Sequence, residues 1–292
     1  MKNYLYFLFW LIRTWPMRWS FPKYKIMTIE ATIDDIVLNK KSICRFGDGE
    51  FILMLKERGL PFQDPDSLLS NKLIETIVNR NEKLIVAIPD SLARRKTHKR
   101  FVKVHWLMFI NNYGGRLSKI IDKNYYYGNS NMTRLYAGMK DKTKSSEYFA
   151  KIKTIWNNQD VLIVEGELSR LGVGNDLLDN AKSIKRIISS NKNAFTKYDD
   201  IKNNALKYGE GKLILCALGP TATVLSSELC TAGYWALDIG HIDVEYMWML
   251  MGANQRTAIK GRFVNESNNS EGYDLDEKDV IYYRNSIILE LT

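Results

Sequence analysis

The chain has 292 residues, 45% apolar and 12% aromatic, enough to build a substantial core, with a formal net charge of +9. Three histidines argue against a His-rich metal site. The cysteines, Cys44, Cys216 and Cys230, lack metal-type spacing and lie in apolar segments, as small core residues of a reducing compartment do. The lysines are scattered and no nucleic-acid motif occurs, so nucleic acid is not an expected partner.

The first 29 residues hold five basic side chains and no acid. Tyr4 to Ile12 is an apolar, aromatic run too short to span a bilayer, and no small-residue cleavage site follows it. Trp10, Trp15 and Trp19 alternate with Arg13, Arg18 and Lys23. That pattern suits a segment lying in the headgroup layer of an anionic membrane, at the inner face if the protein is cytoplasmic; the alternative is a helix packed on the domain or on a second subunit.

From residue 28 onward, apolar runs bounded by turn signals alternate with helix-period segments. Strands are predicted at Ile43–Phe46, Leu84–Ile88, Val161–Glu165, Ile184–Ile188, Leu213–Leu218 and Ala236–Ile239. Helices are predicted over 49–58, 67–80, 94–112, 144–157, 176–181, 198–208, 221–232 and 243–251. Such alternation implies an α/β fold, a Rossmann-like and mostly parallel sheet with helices on both faces. One domain over 28–262 is expected, preceded by the basic aromatic segment 1–27 and followed by an acidic extension, 263–292. Residues 264–279 read as loop; 280–283 and 287–289 read equally as strand or helix. Tyr125-Tyr126-Tyr127, in a predicted loop, either lines an acceptor groove or packs.

Arg45-Phe46-Gly47-Asp48-Gly49-Glu50 follows the first of these strands. It places an Asp-x-Glu pair at a strand's carboxyl end, where open α/β sheets bind ligands. Two carboxylates this close repel unless a cation lies between them, and a hard divalent ion that also holds a diphosphate satisfies both. The plainer alternative is a Gly-Asp-Gly turn before a helix N-terminus. Further along, Gly172 and Gly174 would let backbone approach a phosphate, Arg170 could pair with a diphosphate, and a helix starting at Asp176 would offer free amides. Gly219-Pro220-Thr221 is a well-formed helix start. His241, Asp243 and Glu245 cluster after the last predicted strand, where His241 could be a base, a diphosphate contact or a metal ligand. His98 and His105, in a basic helix, read as surface or packing residues.

These segments, in this order, resemble the bacterial GT-D fold glycosyltransferases, long classed as a domain of unknown function. The matching stretches are 45–50, 170–177, 184–188 with 192–195, 217–223 and 237–243, within about residues 30–255. The resemblance implies a UDP-hexose donor bound through a divalent ion, Mn2+ or Mg2+, held by Asp48 and Glu50. With it, Arg45, Gly47, Arg170, Gly172, Gly174, Asn175, Asp176, Gly219 and Thr221 are expected around the diphosphate and ribose, and Asn193 near the base. The acceptor base would be Asp243 or Glu245, with His241 as alternate. The acceptor would be a lipid- or protein-linked glycan of surface polysaccharide or glycoprotein synthesis. Two alternatives are an S-adenosylmethionine-dependent methyltransferase, with Phe46-Gly47-Asp48-Gly49 as its glycine loop, and a non-catalytic nucleotide-binding subunit of a glycan assembly complex.

Overall fold

A computed structural model describes residues 2–93, 97–264 and 274–291. Helices α1 (Lys2–Arg13) and α2 (Trp15–Ser20) precede β1 (Lys25–Ile26) and α3 (Ile29–Asn39). Then come β2 (Ser42–Arg45), α4 (Asp48–Met54), α5 (Ser67–Ile77), β3 (Leu84–Ile88), α6 (Arg100–Leu117), β4 (Tyr126–Asn129) and α7 (Ser145–Lys153). The second half holds β5 (Asp160–Gly166), β6 (Ser183–Ser189), α8 (Tyr198–Gly209), β7 (Leu213–Ala217), α9 (Pro220–Thr231), β8 (Trp235–Asp238), α10 (Ile242–Leu250), α11 (Glu277–Ser286) and β9 (Ile287–Leu291).

The nine strands form one sheet in the order β1-β4-β3-β2-β8-β7-β5-β6-β9, and every described pairing is parallel. Parallel strands need crossovers, and the crossover helices cover both faces. Alternate strand residues therefore feed two cores. Cys44, Val86, Leu162, Val164, Ile214 and Cys216 pack under α4, α5, α6, α8 and α9. Ile43, Ile85, Val161, Ile163, Leu213 and Leu215 pack under α3, α7 and α10. All three cysteines are buried and unpaired.

The six predicted strands form, most to within a residue. The structure adds three. β1 is only two residues long. β4 lies in the segment expected to be loop; a Cβ at Gly128 would lie 2.3 Å from Ile85, so only glycine lets β4 approach β3. Tyr127 is fully buried and packs against Tyr24 and Tyr125, so that part of the tyrosine cluster is core. β9 pairs with β6 and makes the described part of the C-terminal extension the outer edge of the sheet. Of the expected loop 264–279, residues 265–273 lie outside the described residues, as do 94–96 of the expected helix 94–112.

The expected helix over 176–181 does not form; the chain runs through turns there. Local side chains divert the backbone. Asn175 Oδ1 accepts from Leu177 N–H at 3.0 Å, and Trp156 Nε1 donates to Leu177 O at 2.8 Å.

Candidate active site

The site lies at the carboxyl ends of β2, β8, β7, β5 and β6, which are consecutive in the sheet. α4 starts directly at Asp48, two residues after buried Phe46. The two acids part company there. Glu50 turns back and accepts from Gly47 N–H at 2.8 Å, half of a capping box. Burial, and then the nearby charge of Asp238, push its pKa up to about 7. The Asp48 side chain stays half exposed, and its Oδ2 lies 3.0 Å from His105 Nε2 on α6. Burial pushes the Asp48 pKa up, but the hydrogen bond and charge of His105, with Arg134, outweigh it and hold the carboxyl below its usual range.

Arg45 does not reach out as a diphosphate contact would. Its side chain turns back to the end of β8: Nε donates to Asp238 O and Nη2 to Asp238 Oδ1, each at 2.7 Å, and Nη1 donates to Thr133 Oγ1 at 2.6 Å. Thr223 Oγ1 donates to Asp238 Oδ2 at 3.0 Å. A Cβ at Gly240, where φ is +45°, would fall 1.9 Å from Arg45 Nη2, so glycine is required where the β8–α10 turn passes over the guanidinium.

The expected bases are also held from within. Asp243 Oδ1 accepts from Gly172 N–H and Asn175 Nδ2, both at 2.8 Å, and Oδ2 accepts from Arg262 Nε. Glu245 Oε2 accepts from Tyr136 N–H and Ala137 N–H, both at 2.8 Å. Burial pushes the Glu245 pKa up against the pull of Arg134 and these amides. Both carboxylates are buried; Asp243 has both oxygens engaged, and Glu245 has Oε2 held by two amides with Oε1 4.0 Å from Arg134 Nη1, so both act as positioning groups for α10. His241 differs: it caps α10, is partly exposed, and its Nδ1 lies 3.1 Å from Arg134 Nη2.

A cavity of about 120 Å3 opens beside these groups, lined by Phe62, Gly166, Asn191, Gly219, His241 and Asp243 among others. This volume suits a single ring; a whole nucleotide sugar needs roughly 300 Å3 or more and must extend along the open sheet edge. Gly219 is fitted to the cavity wall: φ is +56° and a Cβ would lie 2.9 Å from Phe62. The Thr221 hydroxyl is buried behind it without a hydrogen-bond partner. Asn193, itself at φ +53°, holds the 62–64 loop over the cavity, accepting from Asp64 N–H and donating to Asp64 Oδ2, both at 2.7 Å.

Other expected phosphate and ribose ligands do not line this cavity. Arg170 Nη1 donates to Gly261 O at 2.8 Å. Gly172 and Gly174 are left-handed, and a Cβ there would strike Leu178 and Asp279 respectively. Asp176 pairs with Lys153 at 2.6 Å and accepts from Tyr246 OH at 2.7 Å. The 170–176 loop is thus a clasp between the sheet and the C-terminal helix, with no helix start behind it to offer amides.

Two residues at the site carry no signal in the sequence reading. His105 reaches Asp48, while His98, expected to share its helix, lies before α6, buried 2.8 Å from Asp90 Oδ1. Arg134 touches His241, stands 4.0 Å from Glu245 Oε1 and acts on the charge of Asp48. No motif could have announced either residue, because 57 and 86 positions separate them from Asp48.

The described residues contain no group of three or more His, Cys, Asp or Glu side chains arranged to hold a metal. What α4 offers is two carboxylates, hard oxygen donors. Asp48 is half exposed and kept ionised; Glu50 is partly buried near the charge of Asp238, where a cation would relieve its charge. A divalent ion fits this donor set only if a ligand and water complete its coordination.

A parallel sheet with paired acids and a cavity at the carboxyl ends of adjacent strands has the layout in which open α/β proteins bind their ligands. The family model for the glycosyltransferase GT-D fold matches residues 43–267, and the chain belongs to that family. It is 38% identical over 268 residues to the glycosyltransferase GlyD of Streptococcus pneumoniae serotype 4, covering 91% of this chain and 32% of that protein. It is also 38% identical over 267 residues to a probable glycosyl transferase, Gly, of Streptococcus gordonii, covering 91% of this chain and 39% of that protein. The chain thus spans about a third of the length of these curated relatives. A solved structure of domain of unknown function 1792, described as having a distinct glycosyltransferase fold, matches with a TM-score of 0.88 at 34% identity, over 97% of this chain and 100% of that one. A glycosyltransferase of the same domain type from Streptococcus sanguinis matches with a TM-score of 0.86 at 36% identity, over 92% of this chain and 100% of that one. With the family known, the methyltransferase alternative falls away.

Proposed function

We infer that the chain transfers a hexose from a UDP-sugar to a hydroxyl of a lipid- or protein-linked glycan. The observation that carries this reading is the divergent acid pair heading α4, beside His105 and Arg134, on the strand next to the cavity-lining ones. Asp48 and Glu50 would hold Mn2+ or Mg2+, which when bound neutralises the leaving diphosphate.

The chain's own residues have separable tasks. His105 orients Asp48 and favours its anionic form. Arg134 and His241 place positive charge and a ring nitrogen between the acids and the cavity, where a diphosphate would lie. Phe62, held down by Asn193, offers an apolar face for the base of the nucleotide. Asp243 and Glu245 fix α10, and with it His241, against the loops at 135–137 and 172–175. Because His241 Nδ1 accepts from Arg134, its neutral ring presents Nε2–H, a donor for the diphosphate or for the acceptor hydroxyl.

Calorimetric titration with UDP, with and without manganese, tests the reading. Asp48→Asn should abolish the manganese-dependent part of binding at unchanged melting temperature. Manganese-dependent UDP affinity equal to wild type in that variant would sink the metal assignment. A UDP-sugar hydrolysis screen then separates an enzyme from an inert nucleotide-binding subunit, which would bind without turnover.

A further inference from the structure

Helices α1 and α2 join at buried Thr14, and each is only partly covered by the domain. They touch α6 along their edges, where the exposed Tyr6 OH meets Met108 Sδ at 3.8 Å and the Arg100 guanidinium lies 5.2 Å from the centre of the exposed Tyr4 ring, and at their end, where buried Phe21 packs so that a Cβ on Gly114 would touch it. Packing on the domain therefore accounts for only part of this segment. Leu5, Phe9, Ile12, Trp15 and Trp19 remain outside, 60, 51, 75, 61 and 82% exposed. Leu5, Phe9 and Ile12 follow the i, i+4, i+7 spacing of one helical stripe on α1, and Trp15 and Trp19 are exposed at i, i+4 on α2.

Charge decides what covers this stripe. Residues 1–29 carry five basic side chains and no acidic one, and Arg13, Lys23 and Lys25 are exposed. A second copy seated on the same face would set like charges against like across a two-fold axis. An anionic lipid surface meets every feature at once: indoles lie at headgroup depth, the aliphatic stripe enters the acyl boundary, and the cations face anionic headgroups. No described helix is long and apolar enough to cross a membrane, so the two helices would lie in the interface plane.

We propose that the outer face of α1 and α2 is a docking surface for an anionic bilayer. This assignment is independent of the sugar-transfer reading and is tested without activity. The full chain is sedimented with phosphatidylcholine vesicles, with and without phosphatidylglycerol. Wild type should pellet only with the anionic vesicles, and salt should release it. Trp15→Ala with Trp19→Ala should weaken binding at least about tenfold, because two exposed indoles leave the interface. Arg13→Gln, Lys23→Gln and Lys25→Gln together should remove most of the salt dependence. The altered side chains are exposed, so circular dichroism and melting temperature should match wild type. Wild-type protein remaining in the supernatant, or tryptophan variants that pellet as before, would overturn the proposal. So would a dimer in sedimentation velocity that the tryptophan variant dissolves, since a second copy would then occupy the stripe.

Discussion

Three carboxylates near the strand ends are locked to arginines: Asp238 to Arg45, Asp243 to Arg262 and Glu165 to Arg186. The last pair is fully buried. Arg186 Nε also donates to Ser286 Oγ at 2.9 Å and Nη2 to Leu171 O at 2.8 Å. Such pairs add little over apolar packing, but removing one partner strands a buried charge. Arg186→Met should therefore cost about 3–5 kcal/mol in urea unfolding, whereas the double change Arg186→Met with Glu165→Leu should recover part of that loss. His105 presents the opposite case, a half-exposed partner of a half-exposed acid. His105→Gln should leave the melting temperature within a degree or two and weaken manganese-dependent UDP binding about tenfold, the weight of one charge-assisted hydrogen bond. Titration calorimetry checks this, and an undiminished affinity would reduce His105 to a surface contact.

Helices α5, α8 and α9 meet at Glu228, which accepts from Lys72 and Lys202 Nζ at 2.5 Å each. Burial pushes its pKa up, but the two lysines outweigh this and hold it below the ordinary 4.5. A carboxyl whose folded pKa is depressed stabilises the fold above its unfolded pKa, and that contribution is lost as pH falls through the folded value. Glu228→Gln should therefore lower stability by about 1 kcal/mol at pH 7, and the gap from wild type should close as pH falls below the ordinary carboxyl range and through the lowered folded value. Thermal melts across this range measure it; a constant gap would mean that shape, not charge, matters at this junction. Of the helix starts, the sequence announced the one at Gly219-Pro220, whereas α3 was not expected. Thr28 and Asp66 cap α3 and α5 through their side chains, and Pro220 opens α9. The failed helix at 176–181 shows the limit of reading periodicity: Asn175 and Trp156 capture the backbone of a segment too short to resist.

β9 closes the sheet beside β6, while α11 covers Val173 and Ile188 with Tyr283. The acidic end of the chain is thus a structural edge. Truncation after residue 273 should uncover the β6 edge and remove Ser286 from Arg186. We expect a lower melting temperature and concentration-dependent light scattering in that variant; an unchanged melt would show that the first eight strands fold without the ninth.

Alternating apolar runs and helix-period segments are local properties, and they determined by themselves the six central strands, most of the helices and the Asp-x-Glu loop at the head of α4. They also marked the N-terminus as a basic aromatic segment, expected to lie on a membrane surface or to pack on the domain or a second subunit. What the side chains near the strand ends do was decided only by tertiary structure. Arg45, Asp243 and Glu245 carry the chemistry of ligands and bases, yet each found a buried partner far along the chain, whereas His105 and Arg134 were brought to Asp48 from other elements. The physical reason is that a buried charge must be neutralised by whatever the fold places within about 3 Å of it, and sequence spacing does not report that distance.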